Sequence, residues 1–225
     1  ALSVMIDPRK VLNSAGGGGL ADLATALCEA ARDGARVINM SVQIPPSFMP
    51  IGSQNYLTLK KAVDYATSKG ALLVAAGGNT TNSSLPHIVY YPALFDNVVA
   101  VAASTVDNVR PSYGPIGPEI DIMAPGGDKS NPVLSTWPSL STARSRCLAA
   151  GLPLIENKGG WYCGEAGTSM ASPYVAGAAA LVMSIRPSLS APDTRLLLEA
   201  TARDIGLPAD FALGLQEILV VEEKR

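Results

Sequence analysis

Gly167-Thr168-Ser169-Met170-Ala171-Ser172-Pro173 runs straight into Tyr174-Val175-Ala176-Gly177-Ala178-Ala179-Ala180-Leu181. A serine stands at the start of an expected helix, about Thr168 to Ile185, behind a glycine. A proline follows, expected within the first turn, where amides have no intrahelical partner. Those amides and the helix dipole favour negative charge beside Ser169. A nucleophilic oxygen, and the oxyanion it creates, would both gain from that placement. On its own the pattern equally fits a serine that only caps a helix. Ala166 to Ile185 carries no charge and approaches the length of a bilayer span. Its hydroxyl residues and Pro173 make a buried helix the better reading.

Working outward, short β-rich runs alternate with helical stretches, which predicts parallel α/β architecture. Arg36–Val42 and Ala71–Ala76 read as buried strands, and Val98–Ala102 and Ile120–Met123 as further ones. Leu20, Leu23, Ala24, Leu27, Ala30 and Ala31 recur at helical spacing, as do Tyr56, Leu59, Ala62, Val63 and Ala66. Ser190-Ala-Pro-Asp193 is a capping box that opens a last helix to about Ala202. Val4–Ile6 and Lys10–Leu12 are weak strand candidates, and Ala1 to Ile6 do not resemble a basic-then-apolar leader. Residues 125–165, rich in Gly, Pro and Ser, are expected to be an irregular insertion, and 206–225 a tail. The whole of 1–225 is taken as one domain.

The composition agrees. In 225 residues, 48% are apolar and 16% charged, the reverse of a disordered chain. Lys+Arg 17 against Asp+Glu 19 leaves no basic surplus to neutralise phosphates, which excludes nucleic-acid binding as the main role. Three cysteines are not a disulfide scaffold. Cys28 reads as a small core residue. Cys147 and Cys163 bracket a segment with few apolar anchors, and a bridge between them is expected. Closing a loop of that size stabilises by about 3 kcal/mol in the chain-entropy model. It also implies an oxidising, extracytoplasmic compartment.

Two more segments carry chemistry. Gly77-Gly78-Asn79 follows a buried strand, so the Asn79 amide enters the crevice beyond the strand's carboxyl end, where ligands bind in parallel sheets. A turn asparagine tolerating left-handed backbone is the alternative there. Ser41-Val42-Gln43 ends the preceding strand and reaches the same edge. A rival, dinucleotide-binding reading comes from Gly16-x-Gly18-x-x-Ala21. It lacks an acidic residue for a ribose at the end of the next strand.

The Gly167–Leu181 stretch resembles the nucleophile segment of the subtilases, the subtilisin-like serine proteases. Lys10-Val11-Leu12 with the glycine-rich turn after it, Val37–Ser41, Leu73–Asn79, Tyr91–Val101 and Asp121–Gly126 resemble further family segments in the same order. The resemblance covers about residues 4 to 205, and the closing glycine-rich pattern is poorly matched around Asp210 to Leu215. It implies a subtilisin-like α/β/α sandwich with Ser169 as nucleophile. Asn79 and the Ser169 amide become the oxyanion donors. Strand 39–43, including Ser41, Val42 and Gln43, would pair with an extended peptide or protein substrate. Gly77, Gly78, Tyr90 and Thr168 are implied as further substrate contacts, with Tyr90 narrowing the primary specificity pocket. It also implies a calcium ion held by the Pro92 and Leu94 carbonyls and Asp121, a propeptide inhibitor, and secretion.

One departure is large. The family's Asp-Ser/Thr-Gly and His-Gly-Thr-His segments are missing, His87 is the only histidine, and Asp7 lacks the family's glycine context. A serine hydroxyl without a base is a weak nucleophile. The catalytic Asp and His are therefore expected on a companion N-terminal chain or a missing segment. A pseudoenzyme that binds peptides is the alternative.

Overall fold

Leu72–Ala76 and Val98–Ser104 are buried along their whole length, so both faces of the sheet that contains them must be covered. The computed structural model describes residues 4–80, 88–205 and 216–217. Four parallel strands lie side by side in chain order: β1 (Val37–Met40), β2 (Leu72–Ala76), β3 (Val98–Ser104) and β4 (Ile122–Pro125). Two short strands, β8 (Arg203–Asp204) and β9 (Gln216–Glu217), extend the sheet beyond β4. On the other side, β1 has no strand neighbour among the described residues.

Side-chain alternation divides the sheet into two cores. Leu73, Ala75, Ala100, Ala102 and Met123 pack with α1 (Leu20–Arg32) and α2 (Gln54–Ser68). Leu72, Val74, Val99, Val101, Ala103 and Ile122 pack with α4 (Thr168–Ile185) and α5 (Ala191–Thr201). The result is the expected α/β/α sandwich. α4 meets the sheet through Ala171, Val175, Ala179 and Met183, all buried. It is the one helix among the described residues long and apolar enough to cross a bilayer, and here it lies against the sheet. Ser190 caps α5 as expected, accepting from the Asp193 amide at 3.2 Å.

Two expectations are corrected. Val4–Ile6 and Lys10–Leu12 form no strands. Arg9 pins this segment to α1 instead, reaching Glu29 at 3.4 Å and Asp33 at 2.7 Å. The dinucleotide-binding reading thereby loses the strand that must precede its glycine turn.

Residues 125–165 are also not irregular. Strands β5 (Val133–Trp137), β6 (Leu154–Asn157) and β7 (Gly160–Glu165) form an antiparallel sheet in the order β5-β7-β6. Helix α3 (Ser141–Ala149) joins the first two. The glycines and prolines mark turns of this unit, while aromatic residues build its strands. Trp137 pairs across from Trp161, and Thr136 from Tyr162. The Trp137 indole donates to the Ala143 carbonyl at 2.8 Å, and Arg144 lies 4.6 Å from the Trp161 ring centre. The expected Cys147–Cys163 disulfide is present, with Cα atoms 6.3 Å apart, and ties α3 to β7. β7 then leads directly into α4 and Ser169.

Candidate active site

The carboxyl ends of β1 and β2 and the amino end of α4 meet at one edge of the sheet. Ser41, Val42, Gln43, Asn79 and Ser169 line a single cleft of about 420 Å³ there. These are five of the residues expected at the site. The opposite wall comes from Gly16–Gly19 and from Leu20, Leu23, Phe48 and Met49. From sequence the glycine turn entered only as the dinucleotide-binding rival and as part of a family segment. Its place in the cleft depends on how residues 9–19 fold back along α1, which has no local sequence signal.

Asn79 is held by its oxygen. The Thr168 amide donates to Asn79 Oδ1 at 2.9 Å, and the Thr168 hydroxyl donates to the same atom at 3.2 Å. An amide N–H can donate only to an oxygen, so this contact fixes which end of the side chain faces inward. The Asn79 nitrogen takes no part in these two contacts, and Asn79 lines the cleft. The Asn79 backbone amide donates to Gln43 Oε1 at 2.8 Å, which ties the turn to the end of the neighbouring strand.

Three of the expected substrate contacts, Thr168, Gly77 and Gly78, are buried. Thr168 is fully buried, and its hydroxyl accepts from the Gly78 amide at 3.1 Å while donating to Asn79. It props Asn79. Gly77 and Gly78 are also buried. Gly78 has a φ of 115°, and a Cβ there would sit 2.3 Å from the Tyr90 ring. Tyr90 is half-buried against this glycine rather than on the cleft wall.

The loop ahead of α4 is braced by groups that sequence reading missed. The Gly167 amide donates to the Gly126 carbonyl at 2.9 Å. Gly126 has no room for a side chain, since a Cβ would fall 2.4 Å from that of Ala103 and 2.8 Å from the Gly167 oxygen. The Tyr113 hydroxyl reaches the Gly126 and Gly127 carbonyls at 3.0 and 2.7 Å. Burial, with Asp128 nearby, pushes the Tyr113 phenol up, so it remains a donor at neutral pH.

Pro173 lies in the second turn of α4, not the first, because the helix already begins at Thr168. The Ser169 hydroxyl has the Ser41 carbonyl within 3.5 Å. Among the described residues, none that lines the cleft carries a carboxyl, imidazole or amine. Asp7 is engaged with Arg9, and His87 lies outside the described residues.

The implied calcium site does not fit. Asp121 accepts from the Ala100 amide at 2.7 Å and pairs with Arg195 at 2.5 Å, so a guanidinium already supplies the positive charge. The Pro92 carbonyl accepts from the Phe95 amide. No group of three or more His, Cys, Asp or Glu residues is poised to hold a metal among the described residues.

The sequence model of the subtilase family matches residues 1–215. Subtilisin DY of Bacillus licheniformis is 37% identical over 206 residues, covering 92% of this chain and 64% of that protein. Subtilisin Savinase of Lederbergia lenta is 37% identical over 207 residues, covering 92% and 63%. The chain thus spans less than two thirds of these relatives. Among solved structures, a lanthipeptide protease superimposes with a TM-score of 0.73 at 28% identity, over 92% of this chain and 67% of that one. A protease from Pseudoalteromonas arctica gives 0.70 at 29% identity, over 92% and 59%.

Proposed function

Because the chain belongs to the subtilase family, matched over residues 1–215, we propose that it carries the nucleophile and oxyanion half of a subtilisin-type serine endopeptidase. The observation that supports this reading is the Thr168–Asn79 bond of 2.9 Å, which occupies the Asn79 oxygen and leaves its nitrogen as the donor beside the cleft that Asn79 and Ser169 line. Ser169 Oγ attacks the scissile carbonyl. The carbonyl electrons move onto oxygen, where Asn79 Nδ2 and the Ser169 amide stabilise them. Ser41–Gln43 offers extended backbone to the peptide, in the manner of an added strand.

The proton of Ser169 needs a base, and the described cleft residues supply none. We assign that role to an Asp- and His-bearing segment on a companion chain or elsewhere in the polypeptide. The strand edge of β1 left open among the described residues is the place for it to pair. The disulfide supports secretion, and the family supports a propeptide as inhibitor. The pseudoenzyme reading rests on the same lack of a base in the cleft.

Fluorophosphonate labelling tests these readings. The purified 225-residue chain should label slowly or not at all. Adding the segment with the family's Asp and His should bring rapid labelling at Ser169, mapped by mass spectrometry. A folded complex that binds peptides and never labels is a pseudoenzyme. Fast labelling of the chain alone, lost on His87→Ala, would move the base into this chain.

Tyr90 is proposed to limit the primary pocket from behind, by its packing on Gly78. Tyr90→Gly should shift cleavage toward bulkier side chains by about 1–3 kcal/mol of discrimination. An unchanged profile on a peptide library counts against this role.

A further inference from the structure

Pro173 has no amide proton, so the carbonyl four residues earlier in α4 loses its helical partner. That carbonyl belongs to Ser169. The Ser41 hydroxyl stands in its place, donating to the Ser169 carbonyl at 2.9 Å. The rest of the arrangement follows from counting protons. A carbonyl only accepts, so the single Ser41 proton is committed to Ser169. Ser172 Oγ, 3.1 Å from Ser41 Oγ, must then be the donor of that pair. Asn39 Nδ2 donates to Ser41 Oγ at 3.0 Å and completes its valence. The hydroxyl is therefore fully used by groups of the protein and has nothing left for a ligand.

We propose that Ser41 is a positioning residue whose hydroxyl replaces the amide missing at Pro173, and so anchors the nucleophile's own peptide unit to the end of the substrate-pairing strand. The proline leaves the carbonyl next to the nucleophile without its usual amide partner, and the Ser41 hydroxyl at the end of the neighbouring strand donates to it. The register between Ser169 and Ser41–Gln43 is set by that bond, with the Ser169 hydroxyl to the Ser41 carbonyl, 3.5 Å, as a second and weaker link. An ordinary helix residue at 173 would give this carbonyl an amide partner within α4 and hold the nucleophile's peptide unit through that bond instead.

The inference rests on the protease reading for its catalytic consequence, and the test separates the two. In the form of the protein in which Ser169 labels, Ser41→Ala should slow both fluorophosphonate labelling and peptide turnover about tenfold. The Michaelis constant should stay within about twofold, because the hydroxyl does not meet substrate. Pro173→Ala restores an amide to the Ser169 carbonyl, so Ser41→Ala/Pro173→Ala should recover most of the lost rate. Additive losses in the double variant, or a change confined to the Michaelis constant, would overturn the proposal. If the wild-type protein never labels, the protease reading fails, and melting temperatures of the same four proteins decide the structural claim. Ser41→Ala should lower the midpoint and Pro173→Ala should cancel most of that loss. Independent, additive shifts would sink it.

Discussion

Asn79→Ala is expected to lower turnover about 100- to 1000-fold with the Michaelis constant little changed, a range known for loss of this type of donor in a subtilisin and not a value taken from the present geometry. The direction does follow from the geometry. Asn79 Oδ1 is committed to Thr168, with contacts of 2.9 and 3.2 Å, so the side chain is held before substrate arrives. A preorganised donor of this kind interacts more strongly with a full negative charge than with a carbonyl dipole. Removing it should therefore act on the transition state. Steady-state kinetics in the form that labels at Ser169 checks this. A raised Michaelis constant at unchanged turnover would make Asn79 a substrate-binding group only.

Arg195→Met is the second large effect, and it falls on stability. Arg195 pairs with Asp121 at 2.5 Å and with Glu199 at 2.7 Å, and donates to the Asp96 carbonyl at 2.9 Å. It ties α5 to the entry of both β3 and β4. Asp121 is only 20% exposed. Burial pushes its carboxyl up, and the Ala100 amide and Arg195 pull it back only in part. Taking Arg195 away leaves a largely buried charge without a cation, a loss of about 3–5 kcal/mol for such pairs, with the lower end expected at this partial exposure.

The sign of the pH dependence follows from the raised carboxyl. A carboxyl that holds its proton more tightly in the folded state favours folding below its ordinary pKa of about 4. That contribution is lost as pH rises through the folded value. In Arg195→Met the carboxyl should rise further, so the variant should recover relative to the parent on acidification from pH 7. Denaturant titrations of both proteins at pH 7 and near pH 4 give the comparison. An equal deficit at both values would mean that Arg195 acts through packing and Glu199 instead of through Asp121.

The pairing of Asp121 with Arg195 also illustrates what linear sequence hides. Seventy-four positions separate the two residues, and the family resemblance pointed to a metal. Only the packing of α5 against the sheet brings a guanidinium to that carboxylate. The insertion is a similar case. Glycine, proline and serine content suggested an irregular 125–165. Strand pairing between Trp137 and Trp161 and between Thr136 and Tyr162, with the Cys147–Cys163 bridge, makes it an ordered unit. Short strands that stabilise each other leave little periodicity in any one of them.

By itself the sequence determined the sheet order's ingredients, the helix carrying Ser169, and the presence of Asn79 at a strand's carboxyl end. Unbroken apolar runs such as 72–76 and 98–103 are buried between two helix layers, and that constraint is local to each run. The tertiary structure alone decided the roles within the site. Thr168 supports Asn79 and accepts from the Gly78 amide, and Ser41 is the partner of a carbonyl that Pro173 leaves open. Hydrogen-bond partners of Thr168 and Ser169 come from Asn79 and Ser41, 89 and 128 residues away, and no spacing along the chain records which donor will reach which acceptor once the helix and the sheet are packed.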